Sequence, residues 1–222
     1  MKIKSKEIIA LKRKLKLAGI EGLALDIDDT LSMTKESLFE ELSKKLDNPE
    51  KLTGREMAKK YRHTDNVPYW ETDKIESTIK DIYEVSEFHE NLSLIENSNK
   101  IVQKINKSVP IMAYITVRSI VILNGTEKWL KQNNFPKSTI IARPKNVDRF
   151  MGNKWKAKVL EYLYPQILGI VDDNPGLTKF FSKKYKGTVF LYDHVDAERK
   201  DIKVIPCEDW ETVAKKVKEC KL

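Results

Sequence analysis

Three carboxylates follow a short apolar run near the amino end of the chain. The sequence LAL at 23–25 is followed by DIDDT at 26–30. Crowded carboxylates repel one another, and Mg²⁺ is typically held by a few carboxylates, waters and phosphate oxygens. A carboxylate aligned with phosphorus can attack it, and a second carboxyl can protonate the leaving oxygen and later activate water. Asp26 and Asp28 have the spacing for these two roles.

An isolated DxDxT pattern is also typical of a helix-capping turn, in which Asp or Thr accepts backbone N–H bonds. Three later residues favour chemistry over capping. Thr116 follows an apolar segment at 111–115, Lys156 lies on a helical pattern, and Asp172 follows a second apolar segment at 167–171. In this order they can surround a phosphoryl group during its transfer.

Four segments together resemble the signature motifs of haloacid dehalogenase-like (HAD) hydrolases: LALDIDDTL, MAYITVR, KAKVLEYL and ILGIVDDNP. The resemblance implies an α/β fold, with a Rossmann-like three-layer parallel-sheet core and a small helical cap inserted after the first motif. It also implies Mg²⁺ as cofactor and phosphomonoester hydrolysis through an aspartyl-phosphate intermediate.

The resemblance also implies a role for each motif residue. Asp26 is the nucleophile and a magnesium ligand, and Asp28 is the acid and base and binds the metal through its backbone carbonyl. Thr116 donates a hydrogen bond to the phosphoryl oxygens. Arg118 binds phosphate or other substrate groups, and Lys156 spreads positive charge over the nucleophile.

The last motif completes the implied metal site. Asp172 is a ligand, and Asp173 is either a second ligand or the residue that orients the catalytic lysine. Lys154 and Lys158 remain alternatives to Lys156, because both lie within two residues of it in the sequence.

Apolar runs alternate with helical patterns, which predicts a parallel sheet. The segment from 32 to 91 is polar, with helical spacing of its apolar residues. We therefore predict a core at 1–31 and 92–222 and an inserted helical cap at 32–91. Predicted core strands lie at 23–25, 111–115, 139–142, 167–171 and 188–192.

Composition limits the classes of protein. The chain has 222 residues, a formal net charge of +8 and only two cysteines. This indicates a globular protein with no disulfide framework. No segment approaches the roughly 20 apolar residues of a membrane span, and the basic amino end lacks the continuous apolar run of a secretory signal. We expect a cytoplasmic protein with no membrane partner.

Several activities fit these motifs. Dehalogenation is disfavoured, because Asp28 and the pair Asp172–Asp173 serve phosphoryl transfer. A small phosphorylated metabolite is the favoured substrate. The basic charge keeps nucleic acid open as a partner, through a polynucleotide-end phosphatase. A phosphomutase and a non-catalytic binding protein are further alternatives, and the oligomeric state is open.

The predicted cap contains an aromatic and basic cluster that could contact a phosphorylated ligand. Its residues are Tyr61, Arg62, His63, Tyr69 and Trp70. The alternative is that the aromatic side chains pack the cap interior while Arg62 and His63 face solvent.

Overall fold

A six-stranded, all-parallel sheet forms the centre of the molecule. The computed structural model describes residues 5–220, and the strand order is β3-β2-β1-β4-β5-β6. The strands are β1 (Gly22–Leu25), β2 (Ile111–Ser119), β3 (Thr139–Arg143), β4 (Ile167–Asp172), β5 (Thr188–Tyr192) and β6 (Lys203–Cys207). The predicted Rossmann-like α/β fold is confirmed.

Ten helices connect the strands within the described residues. They are α1 (Lys6–Ala18), α2 (Thr34–Lys45), α3 (Gly54–Tyr61), α4 (Thr72–Tyr83), α5 (Ser86–Glu90), α6 (Ser98–Asn106), α7 (Leu123–Gln132), α8 (Gly152–Leu163), α9 (Pro175–Thr178) and α10 (Trp210–Glu219). Short 3₁₀ turns precede α7 and α8.

The side chains of β1 alternate between two hydrophobic clusters, one on each face of the sheet. Ala24 packs with side chains of α1 and α8, whereas Leu23 and Leu25 pack with those of α6, α7 and α10. This alternation follows from the pleat of a strand. Helices therefore cover both faces, which gives the three layers of the core.

A third hydrophobic cluster lies entirely between residues 38 and 82, within the predicted cap. It is formed by side chains of α2, α3 and α4 and the loop before α4. The division into a core and a separate cap domain stays a prediction. The predicted core range also includes residues 1–4 and 221–222, which lie outside the described residues.

Two details do not follow from the apolar pattern of the sequence. Leu17 lies on the same helix, α1, as the buried Ile8, Leu11 and Leu15, yet it is 79% exposed. Strand β6 was not predicted. It contains Pro206, which cannot donate to a strand ladder and is tolerated here because β6 is an edge strand.

Within residues 5–220, no helix has the length and apolar character needed to cross a bilayer.

The close approach of β1 to Pro110, just before β2, depends on Gly22. A Cβ at this position would lie 2.1 Å from the carbonyl oxygen of Pro110. We predict that Gly22→Ala lowers the free energy of unfolding by about 2 kcal/mol, since the backbone must shift to relieve the overlap. Urea denaturation measures the change.

Gly19→Asn is the matched control. Gly19 ends α1 in a left-handed conformation with φ 61°, which Asn tolerates, and no atom lies within 4 Å of an added Cβ. Equal destabilisation by the two substitutions would contradict the packing argument.

Candidate active site

Asp26 lies at the carboxyl end of β1, the central strand beside β4. Leu25 pairs with Val171, and the Asp26 N–H donates to the Val171 carbonyl at 2.9 Å. Because both strands are parallel, the next residue on each, Asp26 and Asp172, emerges at the same edge of the sheet. Ligands bind at this edge in open α/β sheets. Both carboxylates are buried.

The ammonium group of Lys156, on α8, lies between these two carboxylates. Its Nζ is 2.7 Å from Asp26 Oδ1 and 2.8 Å from Asp172 Oδ2, and the residue is 1% exposed. Burial alone would lower the pKa of Lys156, but the charges of Asp172 and Asp26 outweigh it and raise the pKa. The lysine is therefore held protonated.

Asp26 remains short of favourable partners despite this ion pair. Burial raises its pKa to about 7; Lys156 opposes this rise, while the charges of Asp172 and Asp28 add to it. Oδ1 makes the contact with Lys156 but no aligned hydrogen bond. A second cation beside this oxygen, in addition to the Lys156 ammonium, would favour the ionised form of Asp26.

The structure distinguishes the three candidate lysines by position. Lys156 is on the buried face of α8 and contacts the site. Lys154 and Lys158 are half-buried, and neither forms an ion pair with a carboxylate among the described residues. The geometry therefore favours Lys156 for the lysine role.

Three carboxylates form a group able to bind a metal ion. One oxygen from each of Asp26, Asp172 and Asp173 lies within 4.8 Å of the others. Burial raises the pKa of Asp173 well above its usual value, as do the charges of Asp172, Asp29 and Asp26. One lysine offsets only part of this negative charge. The donor set, all carboxylate oxygens, fits Mg²⁺.

Asp173 is held by Thr30, the threonine of the DxDxT pattern. The Thr30 hydroxyl donates to Asp173 Oδ1 at 3.3 Å and accepts from the Asp173 N–H at 3.1 Å. The contacts of Lys156 are instead with Asp26 and Asp172. Of the two roles expected for Asp173, the geometry therefore favours a metal ligand over an orienter of the lysine.

Asp28 points away from this group and pairs with Arg118. The guanidinium Nε and Nη2 both donate to the carboxylate, at 2.8–3.1 Å, and the Thr34 hydroxyl donates to Oδ1 at 2.7 Å. Burial would raise the pKa of Asp28, but the charge and hydrogen bonds of Arg118 lower it overall. The carboxylate is held ionised, which suits a base.

Thr116 and Arg118 occupy the same edge of the sheet, on β2. Leu25 of β1 pairs with Tyr114 of β2, and the two strands are parallel. Asp26 and Thr116, which follow these residues, therefore lie at the same edge of the sheet. Thr116 is buried, and its hydroxyl oxygen accepts from the backbone N–H of Arg118 at 3.1 Å. The described contacts of the Arg118 guanidinium are all within the protein, and its role toward substrate stays a prediction.

The capping interpretation of the first motif applies to Asp29 alone. Asp29 has a φ of 53°, and its Oδ1 accepts from the backbone N–H of Lys35 in the first turn of α2 at 2.8 Å. Asp26 makes no such bond; its charge faces Lys156. The loop therefore combines a structural aspartate with the candidate catalytic ones.

The aromatic cluster of the predicted cap packs inside it. Trp70 stacks on Phe39 at 5.9 Å and its indole donates to the Asp47 carbonyl at 2.7 Å. Tyr61 is buried and donates to Glu50. Arg62 and His63 are exposed. These contacts favour the packing alternative over a substrate site for the aromatic side chains.

Further residues that support Arg118 and Asp28 were missed in the sequence. Arg118 Nη2 donates to Ser32 Oγ at 3.2 Å, and Nη1 donates to Thr126 Oγ1 at 3.3 Å. Ser32 and Thr34 directly follow the first motif, so their position was a usable signal. Thr126 gave none, because its contact depends on the packing of α7.

Comparisons with known proteins agree on the fold. No protein-family model and no curated protein matches the chain. A HAD-superfamily hydrolase of subfamily IA, variant 1, from Geobacter sulfurreducens PCA superposes with a TM-score of 0.50 at 12% identity, covering 89% of this chain and 96% of that chain. The HAD-type protein YfnB from Bacillus subtilis, in a structure bound to magnesium, gives a TM-score of 0.52 at 14% identity, covering 89% and 98%.

The chain thus has the fold of HAD-superfamily hydrolases, and the fold expected from its four motifs is confirmed.

The buried ion pairs of Lys156 generate a prediction for stability. Removing the ammonium leaves two buried carboxylates facing each other without compensation. We predict that Lys156→Met lowers the free energy of unfolding by about 3–5 kcal/mol in metal-free buffer. Chemical denaturation measures this change.

Lys158→Met, on the same helix but without an ion pair to the site, serves as control and should cost less than about 1 kcal/mol. Equal stability of the two variants would mean that Lys156 does not compensate these carboxylates.

Proposed function

We propose that this protein is a magnesium-dependent phosphatase of the HAD superfamily that cleaves a small phosphomonoester. The observation that carries the proposal is the contact of Lys156 with both Asp26 and Asp172 at the carboxyl edge of the sheet. A buried cation between two strand-end carboxylates suits an anionic substrate, because it offsets the charge that would otherwise repel phosphate.

Asp26 is the proposed nucleophile. Asp28 first takes up a proton from solvent as its contact with Arg118 loosens. One carboxylate oxygen of Asp26 then attacks phosphorus, the bond from phosphorus to the substrate oxygen breaks, and Asp28 gives that proton to the leaving alkoxide. Water then attacks the aspartyl-phosphate while Asp28 takes a proton from it. This releases inorganic phosphate and restores the Asp26 carboxylate.

Asp26, Asp172 and Asp173 would hold Mg²⁺, with the backbone carbonyl of Asp28 as a further proposed ligand. When bound, the ion would neutralise negative charge on the phosphoryl oxygens and carboxylates. Support comes from the excess of buried negative charge in this group. The magnesium in the structure of YfnB also supports this assignment.

Thr116 and Arg118 are proposed to bind the phosphoryl group. The hydroxyl of Thr116 supplies a neutral donor at the same edge of the sheet as Asp26. Arg118 orients Asp28 through its two-pronged contact, and the same guanidinium is a strong donor for phosphate oxygens. Asp28 must give up part of that contact to act as an acid.

A small substrate is favoured over a polynucleotide end because the predicted cap reaches the catalytic residues. Thr34, at the start of α2, bonds directly to Asp28. A cap at this distance restricts the space for an extended strand, whereas a compact phosphomonoester can be enclosed and shielded from water.

A substrate panel tests the proposed function. Phosphate release is measured with Mg²⁺ on phosphorylated metabolites and on 3′- and 5′-phosphorylated oligonucleotides. Selective turnover of a metabolite is the expected result. Selective oligonucleotide turnover would favour the polynucleotide-end phosphatase, and no release from any compound would favour a mutase or a binding protein.

For the nucleophile, we predict that Asp26→Asn lowers kcat by at least about 10³-fold, since the neutral amide cannot form the aspartyl-phosphate. Steady-state phosphate release measures the loss, and urea denaturation checks that the variant is folded.

Asp29→Asn is the matched control, because Asn can keep both the left-handed conformation and the acceptor for the Lys35 N–H. Its kcat should stay within about threefold of wild type. Retained turnover in Asp26→Asn would exclude that residue as nucleophile.

For the metal, we predict that Asp173→Asn weakens Mg²⁺ binding by about 10–100-fold, because one anionic oxygen is lost from the group. Calorimetric titration without substrate gives the affinity directly. Asp209→Asn is the control, because Asn keeps an acceptor for the Thr212 N–H and Asp209 is not among the charges that act on Asp173; this variant should bind Mg²⁺ as the wild type does. Identical affinities in all three proteins would place the ion elsewhere.

A further inference from the structure

Exposed large apolar side chains follow two of the strands that end at the catalytic edge of the sheet, and one more lies between two helices of the predicted cap. Ile120 and Val121 follow β2, Phe150 and Met151 follow β3, and Val85 links α4 to α5. We call these five residues the apolar rim. Phe150 is 73% exposed, and aromatic side chains are seldom this exposed unless a binding partner covers them. Clustered exposed apolar surface typically marks a binding site.

Tight backbone contacts hold the parts of the rim together. A Cβ on Gly152 would lie 2.9 Å from Val117 Cγ1, so the turn that carries Phe150 packs against the end of β2. A Cβ on Gly125 would lie 2.6 Å from the carbonyl oxygen of Ser86, so α7 packs on α5. The turn with Phe150 therefore lies beside the end of β2, the strand that carries Thr116 and Arg118, and the segment with Val85 lies beside α7, which follows β2.

Tyr83 extends this surface from the carboxyl end of α4. Its ring stacks on His89, with centroids 5.8 Å apart, and meets the edge of Phe88 at 5.9 Å. Its hydroxyl has no hydrogen-bond partner among residues 5–220, although the charges of Asp28 and Arg149 act on it. Burial is the main cause that raises the pKa of Tyr83, so the group stays a neutral donor.

Arg149 provides a cation next to the rim. Its guanidinium carbon lies 5.3 Å from the centroid of the Phe150 ring, and the side chain is exposed. An exposed guanidinium next to an aromatic ring can pack over a second ring as well as bind an anion. The charges of Arg149 and Asp28 both act on Tyr83, so Tyr83 lies near both the candidate site and the cation beside the rim.

We propose that the apolar rim, with Tyr83 and Arg149, binds the leaving group of the substrate and that this group contains an aromatic ring. The proposal rests on the proposed phosphatase function. A sugar would place its hydroxyls against apolar side chains that offer no hydrogen bonds, which is unfavourable. A flat ring can instead pack on Phe150 and Tyr83 and take the Tyr83 hydroxyl as a donor at its edge.

Two substrates of similar intrinsic reactivity give the first test. Benzyl phosphate and glycerol 1-phosphate both have primary alcohols as leaving groups, and only the first carries a ring. We expect kcat/KM to be at least about tenfold higher for benzyl phosphate, chiefly because its KM is lower. Burial of one face of the ring accounts for a difference of this size.

A substitution in the rim should remove this preference. Phe150→Ser should reduce the benzyl phosphate preference about fivefold or more while leaving kcat/KM for glycerol 1-phosphate within about twofold. Leu17→Ser is the matched control, since Leu17 is exposed on α1, outside the rim. A preference that is absent in the wild type, or lost equally in Leu17→Ser, would overturn the proposal.

Binding of compounds that cannot be hydrolysed separates this proposal from the phosphatase function. Benzylphosphonate should bind the wild type about tenfold tighter than methylphosphonate by calorimetry, and Phe150→Ser should abolish the difference. Selective phosphonate binding without turnover of any ester would support the rim and refute the phosphatase. Turnover without ring preference, or equal or undetectable phosphonate binding, would refute the rim.

Discussion

The ammonium group of Lys156 lies in contact with two buried carboxylates, those of Asp26 and Asp172. Each of the three charges would be costly in this interior without the others, because burial opposes ionisation. Their compensation is incomplete, and Asp173 adds a further buried carboxylate. The same imbalance that costs stability makes the site attractive to a divalent cation. Rigid strands and a buried helix are needed to hold such a group together.

Much of the fold could be predicted because its strands are apolar runs buried on both faces, which stand out against polar helices. Strand β5 was placed with the bounds that the structure gives it. Strand β6 was missed because a half-exposed edge strand with Pro206 has no distinctive pattern. The exposure of Leu17 could not be predicted either, because the spacing of apolar residues does not determine how wide the buried face of a helix is.

In the site, positions at strand ends were predictable and side-chain partners were not. Asp26 and Asp172 each follow an apolar run, so their meeting at one edge follows from the parallel sheet. The pairing of Asp28 with Arg118 joins residues 90 positions apart, and nothing in either motif specifies it. The expected role of Arg118 toward substrate stays a prediction, and its contact with Asp28 is an additional feature that only the structure reveals. That engagement needs the exact packing of β2 beside the first loop.

The indole of Trp210, on α10, donates to the Thr30 carbonyl at 2.9 Å, joining residues 180 positions apart. Thr30 in turn holds Asp173. Synthesis runs from the amino end, so a growing chain carries this aspartate loop for 180 residues before Trp210 has been made. The loop therefore cannot reach its final packing during translation until the segment after β6 has emerged.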